Sequence, residues 1–410
     1  MAVSKRSFIY TVGAVLIIVL IFQMNYFFRI DSKLTERDIK NSINRGGNGG
    51  EGGGGKNMVG EEIDPTIFVS LAAYRDVFCS DTINYIFNHA NRPEKVFIGI
   101  VDQGSELLEN DPDHENQDPS FPNSYCFRGL TVSPELIQSN IRRKALTVAE
   151  SKGPTLARYY ATTLYNNETY FMQVDSHLRF IKGWDSLIIN DLWLTKSFSP
   201  IGLYGIPRTV LTHYPMAYSL EDSGLPVIDQ TGVPRLCKGE FNSRGIITFN
   251  SFILKATTKP AECPYIAAGF FFTTGEAIKL VPFDPHLSNL FEGEEILYSV
   301  RMYAAGFRFY APTLNVCFHY YSRPKSPKFW EDNKQYYLDM QKSVERLKYI
   351  LHWPLDKVPD LSEPQFEDVD KYSIHNTTIL SEYYQRWKID VEKKKVHWHQ
   401  FCDQTPPPQE

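Results

Sequence analysis

Asp175 and His177 are the residues best suited to chemistry, because they stand two positions apart directly after an apolar run, Thr169 to Val174. If that run is a strand, its extended backbone points alternate side chains to the same side, so the carboxylate and the imidazole face one place. One oxygen and one nitrogen donor suit Mn²⁺ or another divalent ion that also takes phosphate oxygens and water. The sequence therefore predicts that these two side chains share a metal ion.

A third protein ligand has to come from elsewhere in the chain, and His319 is the best candidate. It ends the apolar stretch Leu314 to Phe318, which is again where a strand would end. A histidine packed among aromatic residues of the core would look the same, so the sequence leaves both interpretations of His319 open. A second Asp-x-His pattern, at Asp284 and His286, is bracketed by prolines and is interpreted as a turn.

The segments around the first pattern predict an α/β fold. Thr66 to Ala72 and Lys95 to Val101 are short apolar runs without helical periodicity, which is typical of buried strands. Between them, Asp81 to Ala90 places apolar side chains on one helical stripe. A strand, a helix and a strand in this order predict two parallel strands joined by a right-handed crossover, as at the start of a nucleotide-binding fold. Ligands bind at the carboxyl ends of such strands, which is where the Asp-x-His pattern lies.

The remaining segments complete the predicted layout of the body. Residues 154–165 predict a helix with proline in its first turn, and Gly104 to Pro122, rich in Asp, Asn and Pro, predicts a long loop. We predict a main domain over residues 65–329, in which helices flank a mixed, mainly parallel sheet. A helical C-terminal extension is predicted over residues 330–410.

Residues 8–28 carry no formal charge and predict one membrane crossing, since a helix of this length spans roughly 30 Å. No small-x-small cleavage site follows, which favours a retained signal-anchor over a cleaved signal peptide. Cations are more numerous after the segment than before it, against the positive-inside rule for an exported body. Acidic residues interleave with those cations, however, and long domains are translocated regardless of local charge, so we predict a single-pass type II orientation.

The segments beside the anchor differ in character. Residues 1–7 are a short N-terminal tail, whereas residues 29–64 predict a flexible stem, because their glycine-rich part cannot bury a core. N-glycosylation sequons at Asn167 and Asn376 agree with a luminal body, although a three-residue match also arises by chance.

Composition excludes several classes of protein. Lys and Arg number 43 against 48 Asp and Glu, a net charge of −5, so no nucleic-acid partner is predicted. A hydrophobic content of 42% excludes a wholly disordered chain. Six cysteines in 410 residues are too sparse for a fold built on disulfides. They suit a luminal enzyme with some disulfides, whose pairing the sequence leaves open.

Several motifs, in their order along the chain, resemble the polypeptide α-N-acetylglucosaminyltransferase family. They are Phe68–Asp76, Val101–Gln103, Gly153–Arg158, Gln173–Phe180 and Gly183–Asp185. The resemblance spans roughly Thr66 to Asp390 and implies a GT-A-like fold, a UDP-GlcNAc donor and transfer with retention of the α configuration. The implied acceptor is a Ser/Thr or hydroxyproline hydroxyl of a polypeptide. The family includes a cytoplasmic enzyme that acts on a hydroxyproline and membrane-anchored Golgi enzymes that act on Ser or Thr. Together with the predicted membrane anchor, the resemblance implies a Golgi membrane location for this chain.

A more distant likeness, to the polypeptide N-acetylgalactosaminyltransferases, covers the second half of the body. It rests on Gly269–Phe271, Phe283–Asp284, Phe291–Glu295 and Cys317–His319, which resemble a glycine segment on the acceptor side, an acidic loop and a late metal histidine. Where those relatives carry a Trp-Gly pair, this chain has Phe291 and Glu292. Which of the loop's three glutamates approaches the sugar therefore stays open.

The resemblance also implies roles for single residues. It places Mn²⁺ on Asp175, His177 and His319, the uridine beside Ala73, Tyr74, Arg75 and Asp102, and the donor phosphates beside Arg158. The candidate catalytic carboxylates are Glu294 and Glu295, although acidic residues at the start of a helix would look the same.

The expected reaction is metal-dependent glycosyl transfer. As the glycosidic bond breaks, charge develops on the leaving UDP, and a divalent ion stabilises it there. Retention without an obvious nucleophile suggests front-face attack by the acceptor hydroxyl, with the leaving phosphate taking the proton; a loop glutamate could instead act as the base. Two alternatives stay open: another UDP-sugar such as GalNAc or galactose, and a catalytically inactive relative that binds glycans.

Overall fold

The computed structural model describes residues 64–110, 123–220, 226–228, 232–255, 257–322 and 326–402. The predicted tail, the predicted membrane anchor and all but the last residue of the predicted stem lie outside the described residues. Among the helices that are described, none is long and apolar enough to cross a bilayer.

Strands and helices alternate over residues 67–175. The strands are β1 (Ile67–Tyr74), β2 (Val96–Gln103), β3 (Ile141–Leu146), β4 (Tyr170–Asp175), β5 (Leu178–Phe180), β6 (Thr209–Thr212), β7 (Met216–Leu220), β8 (Pro226–Ile228), β9 (Val233–Phe241), β10 (Ile247–Leu254), β11 (Ala261–Glu262), β12 (Phe270–Thr274), β13 (Arg308–Ala311), β14 (Cys317–His319), β15 (Ile389–Asp390) and β16 (Lys395–Val396). The helices are α1 (Cys79–His89), α2 (Pro134–Asn140), α3 (Pro154–Thr162), α4 (Trp184–Leu194), α5 (Glu276–Leu280), α6 (Glu294–Ala304), α7 (Phe329–Asp332), α8 (Tyr336–Ile350), α9 (Val369–Tyr372), α10 (Thr377–Arg386) and α11 (His399–Cys402).

A large mixed sheet forms the centre of the described body, with the strand order β11-β13-β6-β12-β4-β1-β2-β3. The strands β4, β1, β2 and β3 run parallel, and β12 is antiparallel to both of its neighbours. In this register Ala72 lies opposite Asp175, and Ala73 lies opposite Asp102. The carboxyl ends of β1, β2 and β4 therefore meet at one edge. The predicted mixed α/β architecture is confirmed, including the parallel pair joined through α1.

A smaller sheet, in the order β5-β14-β7-β8, adjoins that edge. The strand β4 ends at Asp175 and β5 begins at Leu178, so the chain passes from one sheet to the other across Ser176 and His177. His319 lies opposite Leu178 in the antiparallel pair of β5 and β14. The three predicted metal ligands thus meet where the two sheets adjoin, although His319 is distant in sequence.

The C-terminal helices share their core with the large sheet. Leu347 of α8 and Tyr383 of α10 are fully buried in one apolar cluster with Phe171 of β4. A disulfide between Cys237 and Cys402 joins the last described helix to β9, and a second disulfide links Cys79 to Cys126. The other two cysteines, at positions 263 and 317, are buried thiols.

The second Asp-x-His pattern lies in a turn that anchors α8. The backbone N–H of His286 donates to Asp284 Oδ1 at 3.0 Å, and Arg346 Nε donates to Asp284 Oδ2 at 2.7 Å. Both side chains of this ion pair are 0% exposed. Arg346 Nη1 also donates to the backbone carbonyls of Gln365 and Glu367 at 2.8 Å. Asp284 therefore holds α8 and the following segment on the core.

Candidate active site

A cavity of about 490 Å³ opens at the carboxyl ends of β1 and β4. Its floor carries the three predicted metal ligands. Its walls come from the start of β10, the acidic loop before α6, and Pro327 to Trp330 at α7. Because elements distant in sequence line it, the cavity exists only in the assembled fold.

The metal-ligand candidates lie together at the base of this cavity. His177 Nε2 is 2.8 Å from His319 Nε2, which is 3.2 Å from Asp175 Oδ2. One ligand atom from each of the three residues lies within 4.8 Å of the other two. Two imidazole nitrogens and one carboxylate oxygen at such separations are a donor set that fits Mn²⁺ or a similar divalent ion.

Asp175 is held in place by an arginine behind it. Arg158 Nη2 donates to Asp175 Oδ1 at 2.8 Å, while Arg158 Nη1 donates to Glu294 Oε2 at 2.5 Å. Burial raises the pKa of Asp175, but the hydrogen bond with His319 and the charge of Arg158 outweigh it and hold that pKa below its ordinary value. The carboxylate is therefore ionised and has an oxygen facing the two imidazoles.

The two candidate catalytic glutamates occupy different places. Glu294 is 2% exposed and lies beneath Arg158, outside the cavity lining, where Thr155 Oγ1 also donates to it at 3.1 Å. Glu295 lines the cavity and accepts from Tyr214 Oη at 2.7 Å and from the Ala268 N–H at 2.9 Å. Burial raises the pKa of Glu295 to about 7, despite these two hydrogen bonds. A catalytic role for either residue stays a prediction.

The third glutamate of the acidic loop fastens that loop to a hairpin. Glu292 Oε2 accepts from Asn242 Nδ2 at 2.7 Å and also from Arg244 Nη2. Both donors lie in the turn between β9 and β10. The start of β10, including Phe249, then lines the cavity. The sequence does not predict this wall, because no motif distinguishes the hairpin of β9 and β10 from an ordinary surface hairpin.

The predicted uridine-binding residues lie at and beside the cavity. Tyr74 lines it, and its hydroxyl donates to Asp332 Oδ2 at 2.5 Å. Arg75 Nη1 donates to the same oxygen at 3.1 Å, so both residues hold α7 near the cavity. Ala73 is buried in β1 between the lining residues Ala72 and Tyr74.

Asp102 lies farther from the cavity than its neighbour Gln103, which lines it. Arg143 donates twice to Asp102 Oδ2, from Nε at 3.0 Å and from Nη2 at 2.6 Å. Ser105 Oγ donates to the other carboxylate oxygen at 2.6 Å. Asp102 therefore joins β2 to β3, and its proposed contact with uridine stays a prediction, as does the contact of Arg158 with phosphate.

Two further residues of the site, Asp76 and Tyr214, were given no individual role by the sequence. Asp76 follows β1, and its Oδ2 lies 2.8 Å from His177 Nδ1. Tyr214 follows β6 and binds Glu295. Both positions come within two residues of a strand end, the same signal that identified Asp175, so this rule could have found them.

Comparison with known proteins places the chain in a family. A family model described as Glycosyltransferase (GlcNAc) matches residues 66–393. The chain belongs to this family. Its membership confirms the predicted resemblance and makes the chain a glycosyltransferase. Among curated protein sequences, none matches the chain significantly.

Solved structures of other glycosyltransferases are similar to this member of the GlcNAc family. One is the crystal structure of GalNAc-T7 with UDP, GalNAc and Mn²⁺, at 15% identity and a TM-score of 0.52. That match covers 82% of this chain and 59% of GalNAc-T7, and it shows a shared fold. Another is residues 1–349 of TarS from S. aureus in complex with UDP-GlcNAc, at 14% identity and a TM-score of 0.36. The TarS match covers 78% of this chain and 72% of TarS.

Proposed function

We propose that this glycosyltransferase moves GlcNAc from UDP-GlcNAc to a Ser/Thr or hydroxyproline hydroxyl of a polypeptide, retaining the α configuration and using Mn²⁺ or another divalent ion. The convergence of Asp175, His177 and His319 at the base of one cavity carries this proposal. The GlcNAc description of the family supports the sugar. The GalNAc-T7 complex, which shares the fold, supports a UDP nucleotide and Mn²⁺.

The protein groups around the cavity have separate tasks in this reaction. Asp175, His177 and His319 would hold the ion, which when bound supplies positive charge where the diphosphate gains negative charge. Arg158 keeps Asp175 in the ligand position. Phe249 and the segment from Pro327 to Trp330 line the cavity, where they would shield the reacting carbon of a bound donor from water and so limit its hydrolysis.

Bond making and breaking occur on the same face of the sugar. The acceptor oxygen bonds to the anomeric carbon as the bond from that carbon to the β-phosphate oxygen breaks. The proton of the acceptor hydroxyl passes to the phosphate of the departing UDP. The products are UDP and the glycosylated polypeptide. Glu295 is the alternative base, because it faces the cavity and its pKa of about 7 allows it to take up a proton near neutral pH.

We also infer that the enzyme is a single-pass type II protein of the Golgi membrane with a luminal body. Two disulfides support this, because such bonds persist in oxidising compartments. The sequon residues Asn167 and Asn376 are exposed, as acceptors for N-glycans must be. A loss of apparent mass after treatment with an N-glycan-removing enzyme supports this orientation, and an unchanged mass opposes it.

A donor panel tests the proposed reaction. The protein is incubated with Mn²⁺, Ser/Thr and hydroxyproline peptides, and one of UDP-GlcNAc, UDP-GalNAc or UDP-galactose. Preferential transfer of GlcNAc supports the proposal, whereas preferential transfer of another sugar would identify a different donor. Binding of UDP with Mn²⁺ at 100 times its Kd should stabilise the fold by about 2.7 kcal/mol, seen as a rise in Tm. No rise and no transfer would favour an inactive relative.

Gly269→Ala is expected to weaken Mn²⁺ binding about tenfold or more. A Cβ at this position would lie 2.8 Å from Asp175 Oδ2, so the carboxylate would have to move away from the two histidines. The matched control is Gly239→Ala, whose Cβ would lie 2.9 Å from Tyr265 Oη outside the cavity lining. Titration of Mn²⁺ by electron paramagnetic resonance measures both variants. Equal affinities would show that the close approach of Gly269 has no bearing on the ion site.

A further inference from the structure

We propose that Asp76 is a positioning residue of the transferase, which holds His177 in the tautomer and orientation that an ion requires. This inference rests on the metal site of the proposed function. Asp76 lies in the connection between β1 and α1, far in sequence from every proposed ligand. Its carboxylate would act through the imidazole, on the side opposite to the ion.

Asp76 contacts both residues of the turn between β4 and β5, Ser176 and His177. Asp76 is 3% exposed, and its Oδ2 lies 2.8 Å from His177 Nδ1. Ser176 Oγ donates to the same oxygen at 2.6 Å. The N–H of Phe78 donates to Oδ1 at 3.0 Å, which fixes the plane of the carboxylate. One carboxylate therefore holds two consecutive residues of the turn that carries the chain from the large sheet to the small one.

Hydrogen-bond chemistry then decides which ring nitrogen of His177 carries the proton. An ionised carboxylate accepts hydrogen bonds and donates none, so His177 Nδ1 must be the donor. In the neutral ring, Nε2 then presents its lone pair, and this is the nitrogen that faces His319. A metal ligand needs that lone pair. Asp76 thereby selects the ligating tautomer before an ion arrives.

Neighbouring contacts hold the backbone on both sides of His177. Thr82 Oγ1 of α1 donates to the carbonyl of Ser176 at 2.9 Å and accepts from the N–H of Leu178, also at 2.9 Å. Backbone contacts thus fix both sides of His177, and Asp76 fixes its side chain. The remaining freedom of His177 is small, so little entropy is lost when it binds an ion.

Asp76→Asn tests this role while preserving the size of the side chain. The amide can donate to Nδ1, which stabilises the tautomer whose Nε2 carries the proton and cannot bind a metal. We expect the Kd for Mn²⁺ to rise 10- to 100-fold, the usual cost of losing a partner behind a metal-binding histidine. The full chain is titrated with Mn²⁺ alone by electron paramagnetic resonance, so neither donor nor acceptor enters the measurement.

The matched control is Asp185→Asn. Asp185 is 4% exposed and accepts from the backbone N–H groups of Asn91 and Arg92, both at 2.9 Å, outside the cavity lining. The Asp185→Asn variant should have a lower Tm and an unchanged affinity for Mn²⁺. If Asp76 merely supports the fold, the two variants will behave alike, and an affinity of Asp76→Asn within twofold of the original would overturn the proposal.

A measurement on the unchanged protein keeps the proposal testable if Asp76→Asn fails to fold. Ring ¹⁵N resonances of histidine-labelled protein distinguish the two tautomers, and His177→Ala identifies the resonance of His177 by its loss. A protonated Nδ1 in the ion-free protein supports the proposal, and a protonated Nε2 overturns it. If the original protein binds no Mn²⁺, the proposed metal site fails as well; if it binds and Asp76→Asn binds equally, only the role of Asp76 fails.

Discussion

Asp175→Ala is expected to lower Mn²⁺-dependent sugar transfer about a thousandfold or more. The variant removes the carboxylate ligand of the ion. It also removes the hydrogen-bond acceptor of Arg158 Nη2. The site then loses its only anionic ligand among the three, while Arg158, still paired with Glu294, stays beside it, so the ion that stabilises the departing diphosphate binds less tightly. Initial rates with UDP-GlcNAc and a threonine peptide, measured across a series of Mn²⁺ concentrations, test this expectation.

The control for this variant is Asp81→Ala. Asp81 is also a carboxylate paired with an arginine, since Arg179 Nε donates to it at 2.8 Å, but it lies outside the cavity lining. Transfer by Asp81→Ala should stay within about twofold of the original, and both variants should show the original circular-dichroism spectrum. Full activity of Asp175→Ala would remove the metal assignment, and with it the main support for the proposed reaction.

Arg346→Met is expected to lower the free energy of unfolding by about 3–5 kcal/mol, because it leaves a buried carboxylate without its cation. Asp284 and Arg346 are both 0% exposed, and Arg346 also binds two backbone carbonyls of the segment after α8. Urea denaturation followed by tryptophan fluorescence measures the loss.

Two comparison variants separate burial from charge. Asp284→Asn combined with Arg346→Met removes both charges and should recover part of the lost stability, because no charge is then buried alone. Arg386→Met breaks a pair with Glu262 whose arginine is 47% exposed, and it should cost less than about 1 kcal/mol. Equal losses for Arg346→Met and Arg386→Met would contradict the role assigned to the buried pair.

The strands around the site could be predicted from the sequence because their signal is local. A short and mostly apolar run identifies β1 and β4, and the spacing of apolar residues identifies α1 to within two residues of its observed start. The end of β4 then places Asp175 and His177 at the sheet edge. No tertiary information enters these steps, so local patterns were sufficient.

The partners of charged residues could not be predicted in this way. Arg158 contacts Glu294, which is 136 residues later in the chain, and Asp102 contacts Arg143 across two neighbouring strands. The tertiary arrangement of strands and helices determines which of several carboxylates an arginine meets. The sequence therefore identified charged residues near the cavity, whereas the fold determines which of them face it.

The ligand set joins two parts of the chain that are 142 residues apart, His177 and His319. The chain between them contributes β6, β7 and β12 of the two sheets as well as the hairpin of β9 and β10. Neither the N-terminal nor the C-terminal half contains all three ligands. A truncated or partly folded polypeptide is therefore expected to be inactive, not partly active. Under the proposed reaction, turnover therefore reports completed tertiary structure, and the specific activity of a preparation relative to that of a fully folded reference gives the fraction of molecules that have finished folding.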